Sequence, residues 1–203
     1  MSCFRVPAEG VHYEQLIKNS RFITFIQQAG SPTEAHVFIA QIRQQYPDAR
    51  HVCWAFIAGQ PGNTTLLGCS DDGEPAGTAG KPMLNVLLHG GVGEVVAVVV
   101  RYFGGIKLGT GGLVRAYSSS VVEALRLTPL RDKVETVPLR LEVPYPFEDV
   151  VRRHLGSHGV QLDDTSYGEQ LLIACHCPAD QLEILRATLR DAGRGQIVIV
   201  TPA

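Results

Sequence analysis

Residues 95–100 are six consecutive apolar side chains, five of them valine. β-Branched residues in an unbroken run favour a strand covered on both faces. The run leads into a loop holding five glycines, Gly104, Gly105, Gly109, Gly111 and Gly112. A helix follows, with Val114, Tyr117, Val121 and Leu125 as its apolar stripe. Glycines let backbone N–H groups approach a ligand, and the first turn of a helix offers unpaired donors at the positive end of its dipole. Arg101, Lys107 and Arg115 add three cations, and no acidic side chain stands between Glu94 and Glu123. The stretch therefore reads as a cation-lined anion site. Tyr102 and Phe103 beside it are candidates for stacking on unpaired bases, and Thr110 opens the helix.

The elements on either side follow from periodicity and punctuation. A strand is expected over residues 20–26, and a helix from Ser31 to Tyr46, with a hydroxyl cap, Pro32 at its first position and Glu34 in its first turn. Residues 51–57 and 64–69 read as a strand pair around the Gly59-Gln60-Pro61-Gly62-Asn63 turn, and a short helix runs through Met83 and Leu87. The order implies an α/β sandwich with one mixed sheet. Residues 131–136 are charged and aperiodic and read as a linker, dividing the chain into domains 1–134 and 135–203. Beyond it, strands near 137–145, 160–166, 170–177 and 196–201 alternate with helices near 147–155 and 179–192. That is the βαββαβ order of a ferredoxin-like domain, so the fold class is α/β (α+β) in two parts.

The site motifs narrow the chemistry. Gly104 and Gly109 have the glycine spacing of a P-loop, but Thr110 stands where that motif needs lysine. Gly109 and Gly111 begin a dinucleotide fingerprint that Val114 breaks. An acidic loop, Ser70, Asp71, Asp72 and Glu74, lies upstream, with Lys81 just beyond it. Its carboxylates suit hydrogen bonds from loop backbone or pairing with Arg101, Lys107 or Arg115 better than an EF-hand, whose ligands continue at regular spacing. A catalytic alternative keeps Asp71, Asp72 and Glu74 as metal or proton carriers. No histidine is placed to activate Ser118, Ser119 or Ser120. His51, Cys53, Cys175 and Cys177 lack the local pairing of a closed zinc site.

Both motifs together, the one over residues 95–117 and Ser70-Asp71-Asp72-Gly73-Glu74-Pro75-Ala76-Gly77-Thr78-Ala79-Gly80-Lys81-Pro82, resemble the signature of the Impact family. The resemblance implies an N-terminal domain similar to the second domain of the fifth small-subunit ribosomal protein. It also implies a C-terminal ferredoxin-like domain similar to one in elongation factor G. Both point to translation, with RNA or the ribosome as partner.

Net charge decides where such a partner would bind. The chain carries 18 basic and 20 acidic residues, of which residues 1–135 hold 12 and 11 and residues 136–203 hold 6 and 9. The first part is thus +1 and the second −3, so phosphate affinity belongs to the first. Five cysteines without a Cys-x-x-Cys pair argue against a disulfide framework, and neither a secretory signal nor a membrane-length apolar run is present. The expectation is a cytoplasmic, non-catalytic binding protein without cofactor or resident metal. A protein-binding adaptor working through the sheet of the C-terminal domain is the remaining alternative.

Overall fold

The computed structural model describes residues 3–201. The chain divides into two compact units, one of residues 4–133 and one that begins at Val134 and also takes in Cys3. In the first unit, β1 (Cys3–Pro7), β2 (Val11–Ile17) and β3 (Ser20–Gln28) precede α1 (Pro32–Gln45). Then come β4 (His51–Ile57), β5 (Leu67–Ser70), α2 (Gly80–His89), β6 (Val95–Tyr102), α3 (Thr110–Leu127) and β7 (Leu130–Val134).

The sheet order is β2-β3-β6-β4-β5, and every neighbouring pair is antiparallel. The mixed sheet expected from the sequence is therefore corrected. The helical crossovers β3-α1-β4 and β5-α2-β6 do join strands of the same direction. In each case another strand is inserted between them, β6 in the first and β4 in the second, so no parallel pair becomes adjacent.

β6 is the centre of this unit. Val95, Ala97 and Val99 enter the core shared with α2 and α3, while Val96, Val98 and Val100 enter the core shared with α1. All six of residues 95–100 are fully buried, each valine contributing about 1.5–3 kcal/mol of burial. α1 begins as its sequence indicates: the Glu34 N–H donates to Ser31 Oγ at 3.2 Å, and Glu34 Oε2 accepts from the Gly30 N–H at 3.0 Å. Of the stripe expected for α3, Tyr117 and Val121 are fully buried and Leu125 packs against the core, while Val114 is exposed. Leu113, Ala116, Tyr117, Ser120, Val121 and Ala124 face the core.

The charged stretch 131–136 is not an open linker. Leu130–Val134 is a strand paired with β1 in a two-stranded ribbon, and β8 (Thr136–Val143) starts after a single residue. β7 buries none of its residues completely and shows no apolar period, which is why its sequence looks like a connection.

In the second unit β8 is followed by α4 (Glu148–Ser157), β9 (Gln161–Tyr167), β10 (Leu171–Pro178), α5 (Leu182–Ala192) and β11 (Val198–Val200). Its sheet has the order β11-β8-β10-β9, antiparallel throughout. This is the ferredoxin-like arrangement, with both helices packed over Leu139, Leu141, Ile173 and Cys175. No helix among the described residues is long and apolar enough to cross a membrane.

Candidate anion site at the N-terminus of α3

The alternation that buries β6 continues through its last two residues. Arg101 points to the α3 side and Tyr102 to the α1 side, where Tyr102 packs against the second core cluster. Arg101 is only 5 % exposed. Its Nη1 donates to Glu74 Oε1 at 2.6 Å, and the Tyr117 hydroxyl donates to the same oxygen at 2.8 Å. The rings of Phe22 and Phe103 lie 5.5 and 5.7 Å from the guanidinium carbon, within cation–π range. Two of the expected contacts are corrected here. Arg101 is a buried partner of Glu74 rather than an exposed phosphate contact, and Tyr102 is a packed side chain rather than a stacking platform.

Each carboxylate of the acidic loop has its own task. Asp71 Oδ1 accepts from the N–H groups of Ala79 and Gly80 at 2.9 and 2.8 Å, and Oδ2 from that of Gly77 at 2.7 Å. It thereby caps α2, whose own N-cap residue, Ala79, has no side-chain acceptor. Burial pushes the Asp71 carboxyl up, but these three donors and Lys81 outweigh it and hold it below its ordinary value. Asp72 accepts from the Val52 N–H at 2.7 Å and from Arg43 at 2.8 Å, tying the loop to β4. Ser70 Oγ accepts from the Asp72 N–H at 3.2 Å. The loop is thus wired into the fold, and among the described residues no three His, Cys, Asp or Glu side chains converge as metal ligands. Cys53 lies beneath it, its thiol pushed up to about 12 by burial and by the nearby carboxylates.

The capping role of Asp71 gives a pH-dependent expectation. A carboxyl held low in the folded state adds stability above its unfolded value near 4, and that stability is lost as pH falls through the folded value. Asp71→Asn should cost roughly 1–2 kcal/mol at neutral pH. The cost should shrink as pH falls below the unfolded value and vanish below the folded one, where the native carboxyl is itself protonated. Urea unfolding at pH 7 and pH 3 measures both, and an equal cost at the two pH values would remove the charged cap.

The glycine loop, residues 103–109, is held at one end by contact and at the other by conformation. A Cβ on Gly104 would lie 2.0 Å from the backbone carbon and oxygen of Asn19, at the tip of the β2–β3 hairpin. The Gly104 N–H donates to Ser20 Oγ at 3.2 Å. Gly109, the N-cap of α3, has a φ of 74° and no side chain to satisfy the helix donors. Gly105 also takes a positive φ, in open space. The first turn, Thr110, Gly111 and Gly112, contains no acid, and a Cβ on Gly111 would meet nothing within 4 Å. Gly109 and Thr110 line a cavity of about 440 Å³, which Gly111 and Gly112 do not reach.

The cavity wall adds Lys107, Phe103, Leu108 and Leu113 from the loop and helix, Arg50 and His51 from the start of β4, and Glu74, Pro75 and Arg101 from below. Arg115 is exposed on α3 but outside this lining, and Lys81 lines a separate groove of about 840 Å³ between α2 and α3. Of the three expected loop cations, only Lys107 both lines the cavity and is exposed. Arg50 and His51 complete the set, brought there by strand pairing that places His51 opposite Arg101.

Residues 18–125 match the Impact N-terminal domain, and residues 141–196 match a domain of unknown function, DUF1949. A protein of Haemophilus influenzae described as an IMPACT family member is 42 % identical over 199 residues, spanning 98 % of this chain and 97 % of that one. The chain belongs to the Impact family. The Escherichia coli relative described as IMPACT family member YigZ is 41 % identical over 200 residues, 98 % of each chain. A crystal structure of a protein described only as hypothetical superposes with a TM-score of 0.75 at 40 % identity, covering 100 % of this chain and 98 % of that one. In this Impact-family chain both signature stretches lie within the matched N-terminal segment and meet at the Glu74–Arg101 pair. The cores of its two units are built from separate residues.

Proposed function

We propose that this chain binds an anionic partner, single-stranded RNA in a translation setting, at the cavity before α3, without catalysis. The observation that carries this reading is an 18-residue helix whose N-terminus has neither a side-chain cap nor an acid in its first turn and opens into that cavity. Lys107 and Arg50 supply net positive charge, whereas the Arg101–Glu74 pair on the floor supplies none. Phe103, 56 % exposed, offers a face for one base. The catalytic alternative has little to draw on, because Asp71, Asp72 and Glu74 are each engaged by backbone or by arginine.

The adaptor reading keeps one supporting observation. The sheet face of the second unit opposite its helices exposes Leu172, Val198 and Val200. Their cross-strand neighbours are Glu142 and Arg140, which interrupt the apolar surface and leave RNA binding as the better-supported reading.

Fluorescence anisotropy with a short single-stranded RNA across a salt series tests the proposal. Two neutralised phosphates give a log–log slope of about −1.4, taking roughly −0.7 for each. Lys107→Ala should weaken every sequence alike and flatten the slope by about 0.7, because a phosphate contact carries no base information. A Lys107→Ala protein with the wild-type curve would place binding elsewhere, and no binding at low salt would end the RNA reading.

A further inference from the structure

α3 is apolar on more than the face it buries. Val114 and Val122 stand 36 % and 46 % exposed on a second face, where a helix that only closes a core carries polar side chains. That face is one wall of the groove of about 840 Å³ between α2 and α3. Lys81, Asn85 and His89 rise from α2 on the other side, and the partly buried Val86, Leu125 and Leu130 form the floor. A Cβ on Gly90, just after α2, would lie 3.5 Å from Leu125 Cδ1, so the two helices bring their C-termini to the same end of the groove. His89 and Arg126 stand at that end in the last turns, and Lys81 at the opposite end, in the first turn of α2. We propose that this groove seats an acidic amphipathic helix of a partner protein.

Charge selects the occupant. No carboxylate lines the groove, and its titratable side chains, Lys81, His89 and Arg126, are all basic. α2 carries no acid at all. The single acid of α3, Glu123, lies outside the lining and accepts from Arg126 Nε at 3.0 Å. The Arg126 side chain stays 70 % exposed in that pair, and a surface pair of this kind holds the guanidinium only weakly. Cations at both ends of an apolar trough therefore match a segment with carboxylates at its ends and aliphatic side chains between them.

Length and lining fix its form. At 1.5 Å per residue, Lys81 to His89 spans about 12 Å of α2, and Val114 to Arg126 about 18 Å of α3. A helix of about three turns lies along that distance, its anchors at i, i+4 and i+7 over Val86, Val114, Val122 and Leu125. An RNA strand would leave those aliphatic groups unmatched, because bases stack on aromatic rings and no Phe, Tyr or Trp lines the groove. None of the groove's side chains lines the cavity before α3, so this inference stands apart from RNA binding.

The probe is a dye-labelled 14-residue peptide with leucine at positions 4, 8 and 11, glutamate at its two first and two last positions, and alanine or glutamine elsewhere. A second peptide carries lysine in place of each glutamate. Fluorescence anisotropy with the full chain should show the acidic peptide binding about tenfold or more tighter than its lysine counterpart. Val122→Glu, on an exposed position that lets the protein fold, should weaken the acidic peptide by about tenfold or more, as the loss of a central apolar contact does. Lys81→Gln should weaken it by about threefold, the worth of one exposed ion pair. Trp54 fluorescence in urea confirms that both variants are folded, and Val122→Glu should bind RNA as the wild type does. Equal affinity for the two peptides, no binding of the acidic one, or binding that Val122→Glu leaves unchanged overturns the inference. So does loss of RNA binding in folded Val122→Glu, which would give the face to RNA. A wild-type dimer in sedimentation that Val122→Glu dissociates would place a second copy of the chain in the groove and overturn it as well.

Discussion

Glu74→Ala is expected to destabilise the N-terminal unit by about 3–5 kcal/mol, the cost of leaving one partner of a buried ion pair without the other. Arg101 would keep its charge at 5 % exposure, and the Tyr117 hydroxyl would lose its acceptor. Trp54, the single tryptophan, sits on β4 of the same unit, so its fluorescence in a urea titration reports the loss. The double variant Glu74→Leu/Arg101→Met should recover most of the stability, because removing both charges removes the uncompensated burial. A Glu74→Ala protein within 1 kcal/mol of wild type, on the order of a surface substitution, would mean that Arg101 reaches water. It would also detach the acidic loop from the floor of the cavity.

Gly104→Ala should be nearly as damaging, at about 3 kcal/mol, the upper end for overpacking a tight site. The added methyl would lie 2.0 Å from the Asn19 carbon and oxygen, and both are backbone atoms that no rotamer change can move. Lys18 and Asn19 form the two-residue turn between β2 and β3 and already have φ values of 46° and 62°, so the turn has little room to yield. Gly105→Ala is the control. Its Cβ meets open space but its φ is +86°, and the expected cost is roughly 1–2 kcal/mol. Urea unfolding of the two variants separates contact from conformation. Equal costs would show that the loop is not seated on the hairpin.

The contrast between these neighbouring glycines shows what the sequence could reveal. The run of valines in β6 and the start of α1 at Ser31, Pro32 and Glu34 were legible because local side-chain chemistry produces them. The βαββαβ order of the second unit was legible for the same reason. β1, β2 and β7 were not. β2 alternates only between intermediate and exposed positions, and β7 is mostly charged, so neither shows an apolar period. Their strand character comes from pairing with distant partners.

The site divides in the same way. Gly109, Thr110, Gly111 and Gly112 stand at a helix N-terminus as their order indicates. The inward turn of Arg101 was implicit in a period of two counted from Val95, but a buried arginine needs a carboxylate, and nothing local to β6 supplies one. Glu74 comes from 27 residues upstream, and Tyr117, Ser20 and Phe22 arrive from α3 and β3. Arg50 and His51 reach the cavity because β4 pairs with β6 in a register that the sequence does not show. Non-local pairing is thus what turned three expected cations into one exposed lysine, one buried ion pair and one surface arginine.

An ¹⁵N-labelled sample titrated with a short single-stranded RNA at low salt, followed by its amide resonances, tests the claim that an anion is held at this helix end. The amides of Gly109, Thr110, Gly111 and Gly112 should shift first and furthest, together with those of Phe103 and Lys107, and raised salt should reverse the shifts. The amides of β9 and β11 in the second unit should stay in place. Shifts centred on that second unit, with the α3 N-terminus unmoved at saturating RNA, would contradict the account.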